Sequence, residues 1–359
     1  MDILNYLQGM AVQHGPSGHE AEVSGWLKAR FEPLCDSVTV DPLYNVIALK
    51  KATAPTKDGS PAPRVMLAAH QDEIALMVAD ILPDGSLRMG QVGGVDPRIL
   101  PASTVTVHAT GGGDGTVKLL GVVGSTPPHL LNAADREHNY KREDLFVDLG
   151  LPTEQVRAQV RVGDLITLSG PATPLLNDRC AAKTMDDRAC VACLLEAAER
   201  LQKMSHICDI YFVATSQEEV GSKGATVAAH AIDPDLAVAL DVTHATIPQS
   251  RPDTTVPLDA PAATYGPFVQ HKLLERLKKA AKDHGVKLNT EHAERFTYTD
   301  LDKIQIAREG VPCVLIDLPL KYMHTTVELL DMNVIRECGR LLAHFLCDLD
   351  EGWNEALWS

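Results

Sequence analysis

Apolar residues along this chain fall into two rhythms, and their alternation predicts a fold before any chemistry is considered. Four short apolar runs, Val65–Ala69, Ile210–Thr215, Leu236–Leu240 and Val311–Asp317, predict buried strands. A strand covered on both faces has no reason to alternate with polar residues. Residues 21–35, Arg188–Met204, Leu273–His284 and Asn333–Leu349 instead carry apolar positions at helical spacing, which predicts helices with one face on a core. Strands and helices taken in turn predict an α/β fold, a mixed, largely parallel sheet flanked by helices.

From about residue 76 to 167 the rhythm changes. Gly, Val and Thr dominate, and turn signals recur at Pro83-Asp84-Gly85, Gly93-Gly94 and Gly111 to Gly115. Alternating runs at Thr104–His108 and Val117–Val123 predict short strands. The expected division is a discontinuous α/β domain, residues 1–75 and 168–359, interrupted by a small β-rich domain, residues 76–167. Gly111 to Gly115 resembles a phosphate-binding loop only in its glycines. No Lys-Ser/Thr or helix follows, so it predicts a hairpin turn.

A length of 359 residues fits about two domains. The formal net charge of −15 would repel nucleic acid and anionic membranes, which excludes both as expected partners. The amino terminus MDILNYLQGM lacks a basic segment followed by an apolar one. No apolar stretch approaches the ~18 residues of a membrane span. The expectation is a soluble, cytoplasmic protein. Eight cysteines lie scattered, unlike a secreted disulfide framework. Cys190 and Cys193 form a CxxC without a second one, which reads as small buried side chains on a helix.

The chemistry concentrates in five polar clusters placed where apolar strands stop. Open α/β sheets bind ligands outside the carboxyl ends of their strands, so such clusters can converge. His70 follows the first strand, and Asp72 is placed to orient its ring through the second nitrogen. Asp186 and Asp187 open a helix, where acids also serve as ordinary caps. Glu218 and Glu219 end the strand Ile210–Thr215 and point different ways, one suited to a metal and one to a proton. Asp241 ends an apolar strand without a neighbouring base, a costly place for a lone carboxylate. His244 reads as a simple loop residue. His324 precedes the last helix. Alone, each has a bland reading as a cap, an acidic turn or a surface histidine. Together, two histidines and four or more carboxylates suit two zinc or cobalt ions sharing a bridging carboxylate, better than magnesium, which seldom uses His.

These residues resemble the tetrahedral aminopeptidase family of co-catalytic metallopeptidases, which includes glutamyl, leucyl, lysyl and deblocking aminopeptidases. GPSGHE (15–20), HQDEIALMV, KTMDDR, QEEVGSKGA, LDVT and KYMHTTVE stand in the family's order. GVVGSTPPHLL (121–131) and LFVDLGLPTEQVRAQVRVGD (145–164) extend the likeness through the insert. The resemblance implies that His70, Asp186 and Asp241 hold one metal and Asp186, Glu219 and His324 the other. It implies Glu218 as general base and acid, with Asp72 orienting His70. Cys190 stands where the family usually has Gly, and Gln71 and Lys321 replace a common Met and Arg. None is a proposed ligand. The gap from His70 to Asp186 exceeds that from Asp241 to His324, which places the extra domain earlier than in related dipeptidases and deacylases.

The function so implied is cleavage of the amino-terminal peptide bond of peptides with a free amine, using two divalent ions per subunit. Zinc is the expected metal, with cobalt or manganese as alternatives. The family commonly assembles dimers into a dodecamer around an internal chamber, and the insert would be the dimerisation domain. Rival readings are an amidase or deacylase on the same scaffold, a glycosidase, a label some family members carry, and an assembly subunit without turnover.

Overall fold

In the computed structural model, which describes residues 1–357 apart from 58, 114, 131 and 133–137, the four apolar runs form the middle of an eight-stranded sheet. The chain divides into two units. The first comprises Met1–Asp72, Pro171–Met323 and Val327–Ser359, and the second Glu73–Gly170 with His324–Thr326. The first unit begins with β1 (Ser37–Val40), β2 (Val46–Lys50) and β3 (Arg64–His70). The second contributes β4 (Ala75–Ile81), β5 (Leu87–Val92), β6 (Thr104–Ala109), β7 (Val117–Ser125), β8 (Leu145–Asp148) and β9 (Leu165–Leu168). The first then resumes with β10 (Thr173–Leu175), β11 (Arg179–Ala182), β12 (Asp209–Thr215) and β13 (Leu236–His244). It closes with β14 (Ala262–Tyr265), β15 (Asn289–His292), β16 (Cys313–Leu320) and β17 (Glu328–Asp331).

The large sheet has the order β1-β2-β12-β3-β13-β16-β14-β15. Its central strands β12, β3, β13 and β16 run parallel, and antiparallel pairs lie toward the edges. The reason is burial: every residue of β16 is buried, the condition under which parallel strands read as continuous apolar runs. β10, β11 and β17 form a separate antiparallel sheet.

Among the helices, α1 (Ile3–Ala11), α2 (Ala21–Phe31), α4 (Met185–Arg200) and α8 (Met332–Cys347) belong to the first unit, as do α5 (Lys223–Ile232), α6 (His271–Asp283) and α7 (Leu301–Ile304), whereas α3 (Thr153–Gln159) lies in the second. α4 packs on β3 and β13, with α8 against it. That approach requires Gly339 of α8. A Cβ there would lie 2.6 Å from Glu196 Cβ and 3.0 Å from the Cys193 carbonyl. Alanine would favour the isolated helix by about 1 kcal/mol, but overpacking costs about 1–3 kcal/mol, so tertiary packing outweighs propensity here. Cys190 and Cys193 lie fully buried on α4, as small core side chains.

Several boundaries depart from the sequence expectation: β16 runs Cys313–Leu320 rather than Val311–Asp317, and two others bear on the chemistry. β13 continues past Leu240 to His244, because its pairing with β16 extends to His244 opposite Leu320. Asp241 therefore sits inside the strand rather than at its end. α4 begins at Met185, earlier than periodicity indicates, since acids rather than apolar residues form its first turn.

In the second unit, β4 to β9 close into an antiparallel barrel of order β4-β5-β8-β7-β6-β9, with β4 pairing β9. Closure leaves no open sheet edge. Alternate residues such as Val105, Val107, Val147 and Ile166 fill the interior. Gly111 to Gly115 joins the antiparallel pair β6 and β7, the predicted hairpin; Asp114 within it, and Leu131, lie outside the described residues. No helix among the described residues is long and apolar enough to cross a membrane.

Candidate active site

Parallel strands of the first unit deliver their carboxyl ends to one edge of the sheet. Thr215 of β12 pairs with His70 of β3, and Ala239 of β13 pairs with Ala68. The register thus brings His70, the turn after Thr215 and Asp241 together, where open α/β sheets bind ligands. α4 reaches the same place with an irregular start. Thr184 is left-handed (φ 62°), Asp186 and Asp187 depart from helical geometry, and a cis peptide joins those two acids. With non-helical φ/ψ and Asp187 engaged by the His70 amide, these acids are not simple caps. Glu328 Oε2 accepts the amides of Met185 at 2.7 Å and Asp186 at 3.2 Å, and Asp187 Oδ2 accepts the His70 amide at 3.1 Å.

Side chains converge there. His70 Nε2 is 3.0 Å from Asp186 Oδ1. His70, Asp186 and Glu219 each place a ligand atom within 4.8 Å of the others, and so do His70, Asp187 and Asp241. The second group differs from the set the resemblance implies, since Asp187 rather than Asp186 accompanies Asp241. Apart from half-buried Glu219, these side chains are buried.

Asp72 is fully buried. Its Oδ1 accepts the Glu218 amide at 3.0 Å, and its Oδ2 accepts the Glu219 amide at 3.2 Å and the Ser17 hydroxyl at 2.6 Å. His70 Nδ1 lies 3.4 Å from Asp72 Oδ1, without the alignment of a full hydrogen bond. Asp72 therefore braces the turn bearing both glutamates and acts on the ring chiefly through charge. Ser222 donates to Glu218 Oε1 at 3.1 Å.

His324 falls in the three-residue segment grouped with the barrel, and it stands in neither cluster of the first unit. Its Nδ1 is 2.9 Å from the Gly94 carbonyl, the ring contact that typically fixes the tautomer of a ligating imidazole. A Cβ on Gly94 would sit 3.0 Å from that nitrogen. His244 is the exposed last residue of β13. Cys190 donates its thiol to the Asp241 carbonyl at 3.1 Å.

Electrostatics show what this set needs. Burial drives Asp187 and Asp241 well above the carboxylate range, and the pull of His70 offsets only part of it. Burial also pushes Glu218 up to about 8, with Asp300, Asp72 and Glu219 adding to it against His70. Burial opposes a charged His70, but its contacts with Asp186 and Asp72 outweigh that and raise the ring. Burial likewise opposes charge on Asp72, yet His70, Ser17 and the Glu218 amide keep it low. His70 offsets only part of the upward shift of Asp187, Asp241 and Glu218, whereas a bound cation would bring these carboxyls down again. Imidazole nitrogen with carboxylate oxygens matches zinc, cobalt or manganese, so the donor set fits a divalent metal.

Sequence reasoning missed Asp300 and Glu328 and left the amino-terminal residues Ser17 and Glu20 without a role. No spacing or strand end marks Asp300. It is buried, accepts from the Thr215 hydroxyl, and its Oδ1 has no hydrogen-bond partner among the described residues.

Comparison with known proteins places this geometry. The M42 glutamyl aminopeptidase family matches residues 51–341. A lysyl aminopeptidase from Pyrococcus furiosus is 37% identical over 320 residues, 88% of either chain. A TET aminopeptidase structure from a marine-sediment Thaumarchaeota archaeon is 30% identical, with a TM-score of 0.90 over 99% of this chain and 98% of that one. The Pyrococcus horikoshii TET1 peptidase, which can assemble into a tetrahedron or a large octahedral shell, is 25% identical, with a TM-score of 0.81 over 97% of this chain and 100% of that one.

Asp300 yields a pH test. Burial raises its carboxyl from 3.8 to about 6, with Thr215 opposing. A carboxyl raised on folding gives full stability below its unfolded pKa and loses it as pH rises through the folded value. In chelator-treated protein, the melting temperature of Asp300→Asn minus that of the native chain should climb between about pH 4 and pH 7. A pH-independent difference would show that Asp300 does not titrate in this window.

Proposed function

We propose how this chain, which belongs to the M42 glutamyl aminopeptidase family and is an aminopeptidase, cleaves the amino-terminal bond of a peptide. The convergence of His70, Asp186, Asp187, Glu219 and Asp241 beside Glu218, at the carboxyl ends of parallel strands, carries the reading. His70, Asp186 and Asp241 would hold one divalent ion, with Asp187 against the His70 amide as support. Asp186 and Glu219 would hold the second. Zinc suits these donors best, with cobalt or manganese as alternatives. When bound, such ions supply Lewis-acid polarisation of a carbonyl and a lowered pKa for water.

The chain's own groups handle the proton. Glu218 takes it from the attacking water and delivers it to the leaving amine. Burial and its acidic neighbours raise the Glu218 carboxyl in the metal-free chain; bound cations would lower it again and leave a carboxylate free to accept the proton. Ser222 and the Asp72-braced turn keep its oxygens in place. The free ammonium of the substrate is favoured by the surrounding acids, which selects peptide ends over internal bonds. Self-association follows from the assembling TET relative; the barrel would serve dimer contacts and the dimers would build a dodecamer. Light scattering of the purified chain tests this, and a monomer mass would refute it.

Glu218→Gln keeps shape but removes the base. Its kcat on aminoacyl-anilides should fall by about 10²–10⁴-fold, with the metal content of the native protein retained. N-acetylated substrates should remain inert to either form. Near-native turnover by Glu218→Gln would remove Glu218 from the role of base.

A further inference from the structure

Four consecutive amides after β12 donate to side chains brought from elsewhere in the first unit. Ser216 donates to Asn45 Oδ1 at 2.9 Å, Gln217 to Glu20 Oε1 at 3.1 Å, and Glu218 and Glu219 to Asp72 at 3.0 and 3.2 Å. Successive amides aimed at anionic oxygens form a nest, and here three of the four amides meet the protein's own carboxylates, Glu20 and Asp72, while the first meets the Asn45 amide oxygen. Gln217 is left-handed (φ 56°), a conformation that costs a residue with a Cβ and persists only when its surroundings impose it.

Glu20 stands directly before α2, where an acid would ordinarily cap the helix. Its side chain makes no capping bond there. It turns instead to the Gly18 amide at 2.7 Å and the Gln217 amide. The side chain is completely buried, and Oε2 has no partner among the described residues. Burial of an acid with an unused oxygen is unfavourable unless its other contacts matter.

We propose that Glu20 is a positioning residue for the general base: by holding the Gln217 amide it fixes the backbone from which Glu218 and Glu219 project. Ser17, three residues earlier, does the same at one remove by donating to Asp72. The segment Ser17–Glu20 is thus the outer brace of the base-bearing turn. The inference rests on Glu218 being the base. Burial and the charge of Asp72 beside it push Glu20 up to about 7, so Gln closely mimics its protonated form and keeps an acceptor oxygen in place. Asp keeps the charge but falls one methylene short.

The test compares Glu20→Ala, Glu20→Asp and Glu20→Gln in the metal-loaded full chain. Ala and Asp should lower kcat by about 10–10²-fold, the size expected for a misplaced catalytic group. KM should stay within about twofold and metal content should not change. Amide hydrogen exchange across residues 216–222 should lose protection in both variants. Gln should recover most of the lost kcat and protection. If Ala fails to fold, the Asp and Gln pair carries the comparison. Native kcat in both Ala and Asp, unchanged exchange, loss of metal with activity, or a Gln variant as impaired as Ala would each overturn the proposal. Glu218→Gln in parallel separates the two claims. If it remains active, the assignment of the base fails; if it is inactive while Glu20→Asp is unimpaired, only the positioning role fails.

Discussion

Buried negative charge without enough positive charge to match it is the constraint on which this protein turns. Asp72, Asp186, Asp187 and Asp241 all lie in the interior around His70, and Glu218 and Asp300 sit close by. Isolated buried carboxylates are too costly to keep charged, so they pair, bind cations or take up protons. The shifts of Asp187, Asp241 and Glu218 show the third response, and the clustering of donor atoms around His70 provides for the second. A site that needs a cation to relax its own electrostatics is well suited to divalent ions, and once loaded it can spend that field on a reacting carbonyl.

The scaffold meets the same problem with backbone donors. Amides of Glu218 and Glu219 stabilise Asp72, the His70 amide stabilises Asp187, and amides at the start of α4 satisfy Glu328. Arg188, also fully buried, donates to the carbonyls of Gln71 and Gln13, which ties the loop after β3 to the segment preceding α2. The positions of the reacting groups are therefore set by main-chain geometry. Left-handed residues at Thr184, Gln217 and Ser222 recur in these connections because tight turns must redirect the chain at each strand end.

Much of this was legible in the sequence because apolar runs report burial directly. β3, β12, β13 and β16 announced themselves as continuous hydrophobic stretches, and each led to an acid or histidine near its carboxyl end. Asp241 was found for a related reason, an acid in an apolar run, although the strand continues past it. Glu20 was opaque because an acid before a helix has a sufficient local explanation as a cap, and only the fold shows its side chain turned toward Gln217. Asp300 gives no signal at all: it follows no strand and opens a helix of only four residues. Asp187 was visible, but its engagement of the His70 amide depends on the irregular start of α4, which periodicity cannot report.

Metal occupancy at the His70 cluster is the claim most exposed to direct measurement. Crystals of active protein, with data collected on either side of the absorption edge of the metal found by elemental analysis, locate that ion without reference to kinetics. The expected anomalous peak lies about 2.0–2.2 Å from His70 Nε2 and from a carboxylate oxygen of Asp186. Fully active crystals with no peak at that position would contradict it.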